Sequence, residues 1–183
     1  ALKIKKQDDL RRHVLVALED IGDKSALKPL MALVKREKND AVLHNVIRAI
    51  GTCGKNNGGA SKALLKFTRG KTELIQRNAI IALKSFTKDK KAYKTLIRLA
   101  FLSGGRSGGG ATGGGRGGRP GGGGGNQLED DEKRRAKVRA ACLSLGYMRA
   151  KDAVKKAERR LKTEGEEEIV QAIKLCIKMV RGK

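Results

Sequence analysis

The sequence predicts an all-α solenoid of about four helix hairpins plus a terminal helix, and the main support is an internal repeat. A short motif recurs in which the first and the fourth residue after an alanine are apolar. Its five copies begin at Ala17, Ala49, Ala82, Ala141 and Ala172, at intervals of 32, 33, 59 and 31 residues. A period near 32 residues is typical of stacked units that share one continuous core.

The spacing of apolar residues within each unit is the second observation. In the first unit they fall on one face of a helix predicted over residues 9–21, and we expect that face to be buried. Its members are Leu10, Val14, Ala17, Leu18 and Ile21. Gly22 is predicted to end this helix. A second helix over about 25–37 should be kinked or start late, because Pro29 lies in its early part.

The later units repeat this plan. Helix pairs are predicted near 42–53 and 60–67, near 75–86 and 93–100, and near 132–145 and 151–162, before a terminal helix over about 166–180. None of these segments alternates with the period that strands require. Repeats 1–3 therefore occupy residues 1–102, an insertion follows at 103–128, and repeat 4 with the terminal helix occupies 129–183 of one continuous solenoid. The acidic run from Glu129 to Glu132 is predicted to stabilise a helix start rather than to hold a metal.

The insertion is rich in glycine and arginine. Fifteen of the 25 residues from Ser103 to Gln127 are glycine, and three are arginine. Glycine at this density predicts a flexible loop, because burial cannot offset its loss of conformational freedom. The stretch from Arg116 to Arg119 resembles the Arg-Gly-Gly segments of RNA-binding proteins, whose guanidinium groups reach phosphates and bases. A plain flexible insertion without a ligand is the alternative.

The charge of the chain favours an anionic partner. Lysine and arginine number 42 against 19 acidic residues, a formal net charge of +23. This excess attracts nucleic acid, an anionic lipid surface or an acidic protein. Aromatic residues make up only 3% of the chain, which argues against base stacking on aromatic platforms.

No apolar run approaches the length of a membrane span and no signal peptide opens the chain, which favours the cytoplasm. The first residue is Ala1 rather than Met, so we expect that the chain is either processed or an excerpt of a longer one.

The residues that could support catalysis fall at core positions of the repeat. Cys53 and Cys176 share one register position and Cys142 has another, so we expect buried thiols without a disulfide or a metal. No acidic residue recurs beside His13 or His44, which argues against a catalytic triad or a metal pair. The sequence therefore predicts a protein that is not an enzyme and needs no cofactor.

The repeat resembles the short HEAT-like repeat of the phycobilisome-lyase type. The resemblance rests on the alanine motif, on Gly22 closing the first helix, and on Asp23, Lys24 and Ala26 in the link to the second. The signature residues of tetratricopeptide and ankyrin repeats do not recur. The resemblance implies a right-handed solenoid whose second helices line the concave face, and a scaffold that binds rather than reacts.

A basic band on the second helices is the candidate binding site. Each second helix carries cations at offsets of three, four or seven residues, which place them on one side of the helix. The predicted polyanion-binding residues are Lys28, Lys35, Arg36, Lys62, Lys66, Arg69, Lys91, Lys94, Arg98, Lys155 and Arg159, together with Arg116 and Arg119 of the insertion. On the concave face they predict binding to phosphates, with nucleic acid as the favoured polyanion. A solvated surface that keeps the protein soluble is the alternative.

The terminal helix suggests a second interface. It is apolar almost all round, whereas the last helix of a solenoid usually exposes a polar face. We therefore expect further repeats or a partner to cover it, through Ile169, Ile173, Ile177 and Val180. The alternative function is accordingly a protein–protein assembly scaffold, which docks a partner or a second copy through its concave face or this helix.

Overall fold

The computed structural model describes the backbone of residues 2–102 and 127–182, and the side chains of residues 7–101 and 130–182. This part of the chain is helical and contains no strand. Its helices are α1 (Leu2–Ile21), α2 (Leu27–Arg36), α3 (Asp40–Cys53), α4 (Gly58–Phe67), α5 (Glu73–Ala82), α6 (Lys90–Ile97), α7 (Gln127–Tyr147), α8 (Ala153–Leu161) and α9 (Glu167–Arg181). Successive helices form four hairpins, and α9 stands alone at the end.

The first helices of the hairpins form one row, and each second helix joins its hairpin to the next. α1 packs on α3, α3 on α5, α5 on α7, and α7 on α9. Each second helix packs on the first helix that follows it in the chain. The buried side chains form one core along the stack, with Ile47, Phe86 and Leu145 among its largest members. The predicted all-α solenoid is confirmed.

Local sequence signals explain where the hairpins turn. Gly22 follows α1 with a φ of +65°, a left-handed conformation that glycine adopts without strain. Pro29 lies in the first turn of α2, and that helix does start late, at Leu27, after a short 3₁₀ segment capped by Asp23. Asn57 and Asp89 cap α4 and α6, because their side chains accept hydrogen bonds from backbone N–H groups of the first turn.

The structure corrects the prediction for the terminal helix. Ile169, Ile173, Ile177 and Val180 are all buried, because α9 packs against both α7 and α8. They are core residues, so they do not form a free docking surface. The outer side of α9 is mainly polar, as expected for the last helix of a solenoid. Its exposed polar residues are Glu167, Glu168, Gln171, Lys174, Lys178 and Arg181.

The structure also corrects the prediction for the first helix. Leu10, Val14, Ala17 and Ile21 share one face as predicted, but they are exposed rather than buried, and of the five predicted residues only Leu18 packs against the core. Leu15 points into the core instead, because α3 packs on a different side of α1. Helical periodicity therefore identified the apolar face correctly and its burial incorrectly.

Candidate functional site

The second helices expose the predicted cations. The eleven predicted residues outside the insertion all have exposed side chains, whereas Arg116 and Arg119 lie outside the described residues. The exposed residues are Lys28, Lys35, Arg36, Lys62, Lys66, Arg69, Lys91, Lys94, Arg98, Lys155 and Arg159. They point away from the core because the opposite side of each second helix is apolar and packs on first helices.

A buried residue near the middle of each second helix sets a common register. These equivalent residues are Leu30 in α2, Leu64 in α4, Leu96 in α6 and Ala157 in α8, and all are buried. Two positions before each of them stands a lysine. This set, here called the lysine row, consists of Lys28, Lys62, Lys94 and Lys155. Four repeats thus place the same side chain at the same position of the second helix.

Two further sets of cations follow the same register. Two positions after the buried residue stand Lys66, Arg98 and Arg159, and five positions after it stand Lys35, Arg69 and Lys162. Because offsets of three and four bring residues to one side of a helix, all three sets share a side. We call their ten residues the basic face. Lys162 was missed from the sequence, although alignment on the buried residues would have found it. Arg36 and Lys91 are exposed but belong to none of the three sets.

The lysine row extends along the stack rather than along one helix. Its four members lie on four successive second helices of the stack. This arrangement suits a linear polyanion better than a small anion.

The cations of the basic face differ from two arginines of the first helices, Arg48 and Arg139, in their partners. Arg48 of α3 binds Glu19 of α1 at 3.0 Å, and Arg139 of α7 binds Glu168 of α9 at 2.8 Å. These ion pairs connect neighbouring repeats. No cation of the basic face makes an ion pair within the described residues. Their charge is therefore available to an external ligand.

Acidic residues are scarce around the basic face. Within the bounds of the four second helices the sequence contains a single acidic residue, Glu158. Its carboxylate is engaged by Arg181 of α9. Lys155, Arg159 and Lys162, one from each set, line a shallow cavity of about 480 Å³ on α8 beside Glu158. At this end of the face, three cations and the paired carboxylate of Glu158 thus line one depression.

The potentially reactive side chains are held away from solvent or bound to the backbone. Cys53, Cys142 and Cys176 are free and buried. Burial raises the pKa of Cys176 to about 11 and also raises the pKa of Cys142, so both stay protonated and weakly nucleophilic. The Nδ1 atoms of His13 and His44 lie within 2.7 and 3.1 Å of the carbonyl oxygen four residues earlier. The described residues include no His, Cys, Asp and Glu group that could hold a metal.

The stacked hairpins define a helical-repeat scaffold, and comparison with known families identifies the repeat. The family model of HEAT repeats matches residues 1–84, which contain the first two hairpins and α5. The matched part of the chain is therefore built of HEAT-like repeats. HEAT repeats typically form non-enzymatic scaffolds and generally mediate protein interactions. No curated protein matches the chain in sequence. In the part that the structure describes, no helix is both long and apolar enough to cross a membrane.

Proposed function

We propose that this chain is a non-catalytic scaffold whose basic face binds nucleic acid through its phosphates. The lysine row carries the proposal, because a lysine recurs at one exposed register position in all four second helices. The cations of the basic face have no ion-pair partner among the described residues, so their charge is available to phosphates. Arg116 and Arg119 remain predicted contributors from the insertion.

The binding mechanism is counterion release. Each lysine or arginine that neutralises a phosphate frees a condensed cation, so affinity falls steeply with salt. The basic face contacts charge and not base edges, and we therefore expect little sequence preference. The non-specific dissociation constant should lie at roughly 10⁻⁴–10⁻⁶ M at physiological salt.

Fluorescence anisotropy with a labelled 20-nucleotide single strand of mixed sequence tests this mechanism. If all ten cations of the basic face engage, the logarithm of the association constant should fall with the logarithm of salt concentration at a slope of up to about −7. A second strand of unrelated sequence should bind within a few-fold of the first. A slope near zero would overturn the proposal.

A charge-matched pair of variants tests the location of the site. Reversal of five cations of the basic face to Glu should abolish binding; they are Lys62, Lys66, Arg69, Lys94 and Arg98. The control reverses five exposed cations elsewhere and changes the net charge equally; they are Lys38, Lys71, Arg77, Lys174 and Lys178. The control should keep most of the affinity. Equal loss in both variants would show that net charge alone attracts the strand, and the basic face would then not be a site.

An acidic protein is the competing ligand, because HEAT repeats generally mediate protein interactions. Polyglutamate of the same number of charges is a suitable probe. The nucleic acid proposal expects the single strand to bind at least about tenfold more tightly, since arginine and lysine contact phosphate oxygens with good geometry along a regularly spaced strand. Equal or tighter binding of polyglutamate would favour an acidic protein surface and overturn nucleic acid as the ligand.

A further inference from the structure

A cleft opens between the first helices of the second and third repeats. Its walls come from α3, from α5 with the 3₁₀ segment Leu83–Ser85 that follows it, and from Glu19 near the end of α1. Its volume is about 420 Å³, which lies within the range of small-ligand sites. We call it the first-helix cleft, and the lining residues that matter most are Glu19, Arg48, Gly51, Arg77, Lys84 and Ser85. They belong to first helices, whereas the basic face lies on second helices.

A missing side chain explains the cleft. The position two residues after the alanine of the repeated motif is held, in order along the chain, by Glu19, Gly51, Lys84, Leu143 and Lys174. Only the second repeat has glycine there. Close packing requires it, because a Cβ at position 51 would lie 2.8 Å from the Cβ of Ala82 in α5. Glu19 and Lys84 therefore line a cleft whose middle position carries no side chain.

The cleft carries an excess of positive charge. Three cations and one carboxylate line it, a formal net charge of +2. The carboxylate of Glu19 is already bound by Nε of Arg48 at 3.0 Å, so the excess comes from Arg77 and Lys84. Neither of these two makes an ion pair within the described residues. The cleft is therefore suited to an anion with two charges.

Two of the three cations are held in place by neighbouring side chains. Arg48 binds Glu19 through Nε, which leaves the terminal nitrogens of its guanidinium for a ligand. Nζ of Lys84 lies 4.7 Å from the centre of the Tyr147 ring in α7, a cation–π contact. Arg77 is exposed and lines the same cleft from α5. Cations that are fixed before binding lose less conformational entropy when a ligand arrives.

We propose that the first-helix cleft binds a phosphate monoester. A monoester carries about −1.5 to −2 charges at neutral pH, which matches the charge of the cleft, whereas a carboxylate carries one. Arginine donates paired hydrogen bonds to phosphate oxygens, and the hydroxyl of Ser85 adds a further donor to the wall. Each phosphate of a nucleic acid strand is a diester with one charge. The cleft thus selects a different class of ligand from the basic face.

An NMR titration of the full ¹⁵N-labelled chain tests this site. The first probe is a five-residue peptide with a central phosphoserine and two glycines on each side, and the second is free O-phosphoserine. We expect the amide signals of Gly51, Thr52 and Ser85 to shift, with a dissociation constant of about 1 mM or tighter. Tighter binding of the peptide would support the cleft as a site for a phosphorylated protein segment. Equal binding of the two probes would support it as a site for a small organic phosphate.

Two further peptides test the requirement for phosphate. The unphosphorylated peptide and the peptide with glutamate in place of phosphoserine should both bind at least about tenfold more weakly, because they lack the second charge. Equal binding of the glutamate peptide would overturn the monoester as the ligand. Signals that shift equally over the basic face, or no shift at the three amides of the cleft, would overturn the site.

A matched pair of arginine variants separates this proposal from the nucleic acid proposal. Arg77→Gln should weaken binding of the phosphopeptide at least about tenfold and leave binding of the single strand nearly unchanged, since it removes a charge-assisted contact in the cleft alone. Arg98→Gln removes the same charge from the basic face. It should lower the salt slope of strand binding by about 0.7 and leave the phosphopeptide unaffected. The two proposals can therefore fail independently.

A third variant and a folding control complete the test. Arg77→Lys keeps the charge without the paired hydrogen bonds and should recover part of the affinity for the phosphopeptide. Circular dichroism should show unchanged helicity in all three variants, because Arg77 and Arg98 are exposed. If Arg77→Gln and Arg98→Gln weaken the phosphopeptide equally, net charge alone attracts it, and the cleft is not a site.

Discussion

The helices at the two ends of the solenoid, α1 and α9, carry apolar residues at the same positions of the repeat. These residues are exposed in α1 and buried in α9. Val14 of α1 is half exposed, while its equivalent Ile169 in α9 is completely buried. Ile21 and its equivalent Cys176 differ in the same way. The difference shows that burial in this fold depends on the preceding hairpin, which α9 has and α1 lacks within the described chain. Substitutions at equivalent positions should therefore have unequal effects on stability.

The largest difference should come from two arginines. Arg160 in α8 is 6% exposed, donates to Glu164 at 2.8 and 2.9 Å, and donates to the carbonyl oxygen of Ala100 in the preceding repeat at 2.8 Å. Arg160→Ala leaves the carboxylate of Glu164, whose side chain is only 11% exposed, without its partner, and we expect a loss of about 3–5 kcal/mol in the free energy of unfolding. Urea denaturation followed by circular dichroism measures it.

Arg11 at the other end is the comparison. Its guanidinium binds Asp8 and Glu37, but its side chain is 41% exposed. Arg11→Ala should cost less, about 1 kcal/mol, because the buried Glu37 carboxylate that remains still accepts hydrogen bonds from the N–H groups of Lys38 and Asn39. The double variant Arg160→Ala, Glu164→Ala should recover part of the loss at α8. Equal effects of the two single variants would contradict the difference in burial.

The next difference concerns apolar contacts at the same register position. Ile169→Ala removes a completely buried side chain and should destabilise the protein by about 2–5 kcal/mol. Val14→Ala should change stability by no more than about 0.5 kcal/mol in the monomer. Thermal and urea unfolding at low protein concentration compare the two. A small effect at Ile169 would mean that α9 packs loosely, and its apolar residues could then still serve as a docking surface.

These ends also show what the sequence could and could not reveal. Spacing alone located the helix hairpins and grouped Leu10, Val14 and Ile21 on one face, because the period of apolar residues follows the geometry of the helix. Spacing does not record what packs against a face. It therefore predicted burial for the apolar face of α1, which is exposed, and a partner or further repeats over Ile169 and Ile173, which α7 and α8 cover instead.

The members of the candidate site were predictable, but their lack of ion pairs and their common register were not. The exposed cations of the second helices could be named from composition and offset. Their lack of ion pairs could not, because pairing depends on residues distant in sequence. Arg48, for example, binds Glu19, which lies 29 residues away on a neighbouring helix. The alignment of Lys28 with Lys62 likewise became clear only once the buried residue of each second helix was known.

Replacing either of two glycines at the ends of first helices should lower the free energy of unfolding by a similar amount, but for different reasons. A Cβ at position 146 would lie 2.9 Å from Sδ and 3.1 Å from Cβ of Met179 in α9, so Gly146→Ala should cost about 1–3 kcal/mol by overpacking. Gly22 has open surroundings and a φ of +65°, so Gly22→Ala should cost about 1–2 kcal/mol through backbone strain.

Second substitutions separate these causes. Met179→Ala should relieve the effect of Gly146→Ala, because it removes the side chain that the new Cβ meets. Gly22→Asn should be milder than Gly22→Ala, since asparagine tolerates the left-handed region. The assignment of causes would be reversed if Gly146→Asn destabilised the protein less than Gly146→Ala. It would also be reversed if truncation of a neighbouring side chain relieved the effect of Gly22→Ala. Unfolding free energies of the single and double variants decide it.

The smallest expected effect is the loss of a helix cap. It compares α6, in the middle of the stack, with α8, near its end. Asp89 caps α6 by accepting hydrogen bonds from the N–H groups of Lys91 and Ala92 at 2.7 and 3.1 Å, whereas Asp152 before α8 makes no such bond. Asp89→Ala should cost about 1 kcal/mol, and Asp152→Ala no more than about 0.5 kcal/mol. Unfolding measurements at neutral pH compare them.

The cap on α6 should also respond to pH. Burial alone would raise the pKa of Asp89, but the hydrogen bonds that its carboxylate accepts, including those from Ala92 and Lys91, outweigh burial and lower the pKa. Its stabilising contribution is therefore complete above the unfolded-state pKa of about 4 and is lost as the pH falls through the lower folded-state value. Asp89→Asn keeps the capping oxygen without the titration, so its stability should fall less than that of the native chain between neutral and acidic pH. An identical pH dependence in both proteins would show that the charge of Asp89 contributes nothing to the cap.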